Sequence, residues 1–224
     1  MNILITGAGK GIGLALTMAF LSEGHAVFAV SRNIDALTKI ASPNLTPFSF
    51  DLQYADYVLL FDEVKRCFKS VDVLINNAGA MVSKPLLDLS DADFNLLFDV
   101  NVKAAFKMVQ GCVPLMKHGT HIVNISSMGG FQGSVKFPGL ALYSASKGAL
   151  ATLTEAMAVE LSVQKIAVNA LALGAVQTEM LSAAFPGYQA PLQPAEMAAF
   201  IKDFALSGHK VFNGKILPVS LSTP

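Results

Sequence analysis

The chain alternates between short apolar runs of strand character and longer helical stretches from its first residues to its last. Ile3-Leu4-Ile5, Ala26 to Val30, Phe48-Ser49-Phe50, Val73-Leu74-Ile75, His121 to Ile125, Ile166 to Leu171 and Lys215 to Val219 read as strands. Between them lie helical segments at Gly11 to Ser22, Asp35 to Ile40, Tyr54 to Phe68, Ser90 to Met116, Tyr143 to Val163 and about Ala195 to Leu206. In the third of these, Val58, Leu59, Phe61, Val64 and Phe68 recur at helical spacing. Ser90 with Asp93 three residues on is an N-cap signature, and Pro114 should bend or end the long helix it opens. Continuous apolar strands joined by helices mean a parallel sheet covered on both faces. The expectation is one α/β domain spanning 1–224, a doubly wound Rossmann-type sheet of about seven mostly parallel strands.

The overall balance agrees. Apolar residues make up 53% and charged ones only 14%, which suits a sheet buried on both sides with an apolar oligomer contact to spare. Sixteen basic and sixteen acidic residues cancel, so no basic patch points to nucleic acid or to an anionic membrane. No apolar run is long enough to span a bilayer, and Asn2 to Thr6 already reads as strand rather than signal peptide. Cys67 and Cys112 have no metal-ligand spacing and read as free thiols in a reducing cytosol.

Four motifs carry chemistry. The first turn, Thr6-Gly7-Ala8-Gly9-Lys10-Gly11-Ile12-Gly13, follows a strand and opens a helix. That context lets backbone approach a pyrophosphate at a helix N-terminus, although the spacing is T-G-x-x-x-G-x-G and not the usual G-x-G-x-x-G. Asn76-Asn77-Ala78-Gly79 follows the fourth strand, and Ser126-Ser127 the fifth. Tyr143 and Lys147 lie four apart on one helix face. A cation beside a phenol favours the phenolate and brings a tyrosine toward acid/base use near neutrality.

Taken in order, Thr6-Gly7 with Gly11 and Gly13, Asn76 to Gly79, Asn101, Asn124-Ile125-Ser126-Ser127, and Tyr143 with Lys147 resemble the short-chain dehydrogenase/reductase family of NAD(P)-dependent oxidoreductases, from the first strand to about Met180. The resemblance implies that Tyr143 is the acid/base and that Lys147 lowers its pKa and binds the nicotinamide ribose. It implies that Ser127 fixes the substrate oxygen and that Asn101 holds a water in a proton relay. Ser126 reads instead as a turn residue bonding local backbone. Cofactor contacts are implied for Thr6, Gly7, Gly9, Lys10, Gly11, Ile12 and Gly13 in the turn, and for Ser31 and Arg32 after the second strand. Further contacts are implied for Asp51, which is equally a strand-end turn residue, and for Leu52, Asn77, Ala78 and Gly79. Gly174, Val176 and Thr178 follow the sixth strand, where Leu173-Gly174 replaces the family's Pro-Gly.

Cofactor choice is also readable. NAD enzymes normally end the second strand with an acid for the ribose hydroxyl. Here the strand ends Val30-Ser31-Arg32-Asn33. Arg32, with Lys10 nearby, suits a 2′-phosphate, so NADP(H) is expected over NAD(H). The expected activity is hydride transfer between nicotinamide and a carbonyl or alcohol, in a cytoplasmic homodimer or homotetramer that uses no metal. Two alternatives are a non-catalytic NADP-binding sensor or scaffold, and the same fold running an epimerisation or dehydration. Met81, Val82, Phe131, Phe137, Met180, Leu181, Phe185 and Tyr188 are candidates for an apolar substrate pocket.

Overall fold

In the computed structural model, which describes residues 1–221, seven strands form one parallel sheet in the order β3-β2-β1-β4-β5-β6-β7. The strands are β1 (Asn2–Thr6), β2 (Ala26–Ser31), β3 (Leu45–Ser49), β4 (Val71–Asn76), β5 (Met116–Ser127), β6 (Ala167–Leu173) and β7 (Ile216–Val219). Strand order reverses between β1 and β4, so a crevice opens at their carboxyl ends, where open α/β sheets bind ligands.

The period-two alternation of strand side chains divides the core. Ile3 and Ile5 of β1 face one side, with Leu16 and Phe20 of α1 (Gly11–Ser22), Leu37 of α2 (Asp35–Thr38) and Ile201 of α8 (Pro194–Ser207). Leu4 faces the other, with Leu60 and Val64 of α3 (Tyr57–Cys67), Met108 of α5 (Ala104–Cys112) and Met157 of α6 (Ala141–Glu160). All seven residues of β6 are buried, which accounts for the greasy composition. Cys67 is half-buried and Cys112 buried, and both are free. No helix among the described residues is long and apolar enough to cross a membrane.

Two expectations need correction, and one short helix is added. The segment Ser90 to Met116 is not one helix. It is α4 (Asp91–Phe98), a π-helical turn at Asp99–Lys103, then α5 and a 3₁₀ turn at Val113–Leu115 where Pro114 ends it. The Ser90–Asp93 capping box is present, Ser90 Oγ accepting from the Asp93 N–H at 3.2 Å and Asp93 Oδ2 from the Ser90 N–H at 2.9 Å. β5 begins five residues earlier than expected, because the exposed stretch Lys117 to Gly119 carries no apolar signal yet continues the strand. A short helix, α7 (Glu179–Ala184), follows β6, capped by Thr178 Oγ1 accepting from the Leu181 N–H at 3.2 Å.

Midway along β5, His121 is buried and contacts α8 through Ala205 and Phe204. Its Nδ1 lies 3.0 Å from the Ala205 carbonyl and its Nε2 2.9 Å from Asn169 Nδ2, which places the proton on Nδ1. Burial first, and the nearby His209, hold its pKa down to about 4 from the ordinary 6.5, the Ala205 carbonyl opposing them. Between these values the unfolded chain binds a proton that the folded chain refuses. Stability should therefore fall as pH drops below about 6.5 and level off below about 4, an effect on the order of 3 kcal/mol. His121→Gln should flatten the dependence of unfolding free energy on pH by up to about 1.4 kcal/mol per pH unit in that window. Denaturant melts at several pH values test this, and parallel curves for the two proteins would refute it.

Candidate active site

The glycine turn joins β1 to α1 at the crevice. Gly7 and Gly11 take left-handed backbone, φ 67° and 53°, which glycine adopts without strain. A Cβ on Gly13 would lie 2.1 Å from the Gly7 carbonyl oxygen, and one on Gly7 would lie 2.7 Å from Ala78 Cα, so helix, strand and the Asn77-Ala78 segment meet only because these side chains are missing. Asn77 Nδ2 donates to the Thr6 and Gly7 carbonyls, each at 3.1 Å, and the Ala78 N–H donates to Thr6 Oγ1 at 3.1 Å. Asn77 and Thr6 thus brace the turn.

Helix α1 has no side-chain N-cap and no acid in its first turn, so its leading N–H groups are not spent on the protein's own side chains. An uncapped helix start behind a glycine turn is suited to a phosphate. Gly9 packs against Ser31 and Asn33, a Cβ there falling 2.5 Å from Ser31 Oγ, which brings the end of β2 beside the turn. Exposed Arg32 shares a surface cleft with Phe48, Ser49, Phe50 and Asp51. Asp51 also makes its turn, Oδ1 accepting from the Gln53 N–H at 2.9 Å. On the opposite wall, the Thr178 methyl would be 3.4 Å from a Cβ on Gly11. Gly174 lets Ser220 come close, and Val176 is buried and bridges to Leu192. These surroundings fit a nicotinamide dinucleotide.

The structure brings Ser127, Tyr143, Lys147 and Asn101 together beside this crevice. Ser127 is the last residue of β5, and its Oγ accepts from the Gly129 N–H at 3.1 Å. Two forces act on the Tyr143 phenol: burial raises its pKa, and a hydrogen bond from Ser127 lowers it. Lys147 is buried too, and desolvation lowers its pKa to about 8. Its Nζ donates to the Ile125 carbonyl at 2.9 Å. The expectation that Lys147 sets the phenol low is thus not what governs the residue here. Burial dominates, and the ammonium is turned to a strand carbonyl. Asn101 sits in the π turn, where the added residue points it inward. Its Oδ1 accepts from the Ala80 N–H at 2.8 Å, and its Nδ2 donates to Ser146 Oγ at 2.9 Å. A Cβ on Gly79 would stand 3.4 Å from both Asn101 Oδ1 and Lys147 Nζ, so glycine keeps that space clear.

Sequence reasoning missed the supports behind these groups. Ser126 does bond backbone, but not locally: its Oγ donates to the Lys147 carbonyl at 3.0 Å, tying β5 to α6. Ser146 links Asn101 to the Tyr143 carbonyl, to which its Oγ donates at 2.8 Å. Asn76 Nδ2 donates to Asn124 Oδ1 at 2.8 Å, and Asn124 Nδ2 to Thr154 Oγ1 at 2.9 Å, a buried polar ladder from β4 through β5 to α6. The nearby apolar cluster of Leu97, Leu140 and Tyr143 is packed by Met81, Val82, Phe137 and Phe185, four of the pocket candidates; Phe131, Met180, Leu181 and Tyr188 lie outside it.

Known proteins resemble this chain in sequence and in fold. The chain is 36% identical over 186 residues to the 3-oxoacyl-(acyl-carrier-protein) reductase of Thermotoga maritima, covering 79% of this chain and 74% of the relative. It is 36% identical over 188 residues to carbonyl reductase (NADPH) 2 of Sus scrofa, covering 80% and 73%. Among solved structures, a 3-ketoacyl-(acyl-carrier-protein) reductase from Brucella melitensis complexed with NADH superposes with a TM-score of 0.87 at 26% identity, over 97% of this chain and 96% of that one. The structure described as ElxO with NADP bound gives 0.83 at 27% identity over the same shares. Residues 1–189 match the family described as short chain dehydrogenase. The chain belongs to the short-chain dehydrogenase family of oxidoreductases.

Proposed function

We propose that the protein is an NADP(H)-dependent carbonyl reductase, with Tyr143 as its acid/base. The observation that carries this reading is a buried phenol paired with Ser127, with the buried Lys147 one helical turn on, in a fold whose crevice opens on an uncapped, glycine-lined helix start. The nicotinamide cofactor supplies the hydride when bound. The chain's own part is to hold the substrate oxygen with the Ser127 hydroxyl and to deliver the proton from Tyr143 Oη as charge develops there. Lys147, raised toward full charge by any anion nearby, stabilises the phenolate left behind and binds the ribose. Asn101, fixed from both ends of its amide, positions the inner end of a proton path. Thr6, Gly7, Gly9, Gly11, Ile12, Gly13, Asn77, Ala78 and Gly79 line the cofactor crevice. Leu52 and Asp51 take its adenine end, Gly174, Val176 and Thr178 its nicotinamide end.

Preference for NADP over NAD rests on Arg32 and Lys10. The similar structures hold NADH in one case and NADP in another, so the fold accepts either and the strand-end side chains decide. The pig relative is by name an NADPH enzyme. Oxidation of NADPH against a panel of aldehydes and ketones tests the reading. Tight NADPH binding with no turnover on the whole panel would favour a sensor instead.

We also infer a two-fold assembly through α4–α5 and α6, in keeping with the cytosolic homo-oligomers of this family. Phe94 and Phe106 on the first pair and Val159 on α6 are exposed, as are Ala145 and Ala156 on the same long helix. Leu150, Met157 and Ala158 are not available, because they face the protein's own core. Burying this apolar patch against its own symmetry mate is the economical arrangement. Sedimentation at micromolar concentration should show a dimer or tetramer, and a monomer would contradict the assignment.

A further inference from the structure

Against the cluster that holds Tyr143, two loops meet through an aromatic contact. Phe137 lies on the segment between the 3₁₀ turn Met128–Gly130 and α6, and Phe185 is the C-cap residue of α7. Their rings meet edge to face, 5.9 Å between centroids and 72° between planes. Both pack on the cluster of Leu97, Leu140 and Tyr143, and the phenol-bearing residue is only 8% exposed beneath them. Gly133 and Gly187, at φ 82° and 83°, flank the two aromatics, and a Cβ on either would have no neighbour within 4 Å.

The cations around this mouth are already engaged. The segments 80–90, 128–142 and 179–193 contain two cations, Lys84 and Lys136. Lys84 Nζ donates to both Asp93 carboxylate oxygens at 2.8 Å. Lys136 Nζ donates to the Phe131 carbonyl at 2.8 Å, to the Ser134 carbonyl at 3.1 Å and to Ser134 Oγ at 2.6 Å. A substrate carboxylate entering here would lose water and would have to displace bonds that already hold both ammonium groups, which is costly. An aromatic or aliphatic group would gain apolar contact with two rings.

We propose that Phe137 and Phe185 form an aromatic clasp that sets specificity, admitting compact uncharged carbonyl compounds with an apolar or aromatic substituent and excluding carboxylates. The proposal rests on the carbonyl-reductase reading for its chemistry but not for its binding. Three probes separate the terms. Ethyl benzoylformate carries a ring and no charge, benzoylformate carries the ring and a carboxylate, and ethyl pyruvate lacks the ring. With NADPH saturating, kcat/KM for ethyl benzoylformate should exceed that for benzoylformate by about a hundredfold. Phe137→Ala and Phe185→Ala should each raise KM for ethyl benzoylformate about tenfold. The same variants should leave kcat, and KM for ethyl pyruvate, little changed, a split that general damage to the fold or to Tyr143 would not produce.

Binding of the same probes to the NADP⁺-loaded protein, followed by saturation-transfer NMR, keeps the two readings apart. If the esters are reduced but benzoylformate is reduced equally well, or both alanine variants keep the wild-type KM, the clasp is wrong and the reductase reading stands. If ethyl benzoylformate binds in a Phe137- and Phe185-dependent way without turnover of any carbonyl, the clasp stands and the reductase reading falls. If ethyl benzoylformate fails to bind at all, the clasp is overturned.

Discussion

Tyr143→Phe should leave NADPH binding largely intact and lower the rate of carbonyl reduction by about three orders of magnitude. The substitution removes one hydroxyl and keeps the ring that packs with Leu97 and Leu140. Burial holds the phenol protonated at neutral pH, which is the form a reduction needs. The pull of Ser127 on that phenol keeps its proton transferable once negative charge grows on the substrate oxygen. Lys147→Ala should damage both cofactor binding and turnover, because its ammonium stands beside the clearing at Gly79 and lies one helical turn from Tyr143, and both are expected roles for it. Ser127→Ala should cost about a hundredfold in turnover with little change in cofactor affinity, the usual size for one donor aimed at a developing oxyanion. The measurement is single-turnover hydride transfer with cofactor saturating. If Tyr143→Phe kept most of the rate, the proton would have to come from water or another group, and the acid/base assignment would be lost.

How far the sequence reaches is clear from particular residues. The alternation of apolar strands with helices determined the sheet, because a strand buried on both faces must be nearly all apolar, as β6 is apart from Asn169, whose side chain is hydrogen-bonded. The glycine positions were legible for the same kind of reason: Gly7 and Gly13 are required by a backbone approach that no side chain survives. What could not be read was the environment of Tyr143 and Lys147. Four-residue spacing on a helix puts Tyr143 and Lys147 on one face, but it says nothing of how deeply that face is buried. Burial has turned the dominant force on the phenol upward and pulled the lysine down to about 8. The π turn at Asp99–Lys103 was hidden as well. Its apolar pattern is that of an α-helix, and only the surrounding packing decides that one extra residue should rotate Asn101 inward to bond Ala80 and Ser146. Ser126 illustrates the remaining limit. A serine at a strand end has many local backbone partners, and its actual partner, the Lys147 carbonyl, is 21 residues away in sequence.

Arg32→Asp should reverse cofactor preference. In the unmodified protein NADPH should bind about ten- to a hundredfold more tightly than NADH, the range expected from a hydrogen bond between a guanidinium and a 2′-phosphate. The geometry supports it. Gly9 sits against Ser31 and Asn33, so the end of β2 and the glycine turn form one rim, with Arg32 exposed on one side and Lys10 at the start of α1 on the other. Both cations flank the turn expected to hold the cofactor, and nothing acidic ends β2. Asp51 shares the cleft with Arg32, yet its carboxylate is engaged with the Gln53 N–H. An aspartate at position 32 would remove the attraction and place a charge of like sign against the phosphate. NADPH affinity should fall about a hundredfold or more. The same carboxylate can accept from both ribose hydroxyls of NADH, whose affinity should hold or rise. Lys10→Ala should weaken NADPH less than Arg32→Asp does, because a flexible ammonium makes no bidentate contact and the substitution adds no repulsion. Because the phosphate term is ionic, the NADPH advantage should shrink with added salt while NADH affinity stays nearly constant. Titration calorimetry with both cofactors at two ionic strengths measures all of these quantities. Equal affinity for the two cofactors in the unmodified protein would remove Arg32 from the phosphate site and leave the choice to be made by Asp51 and the backbone around it.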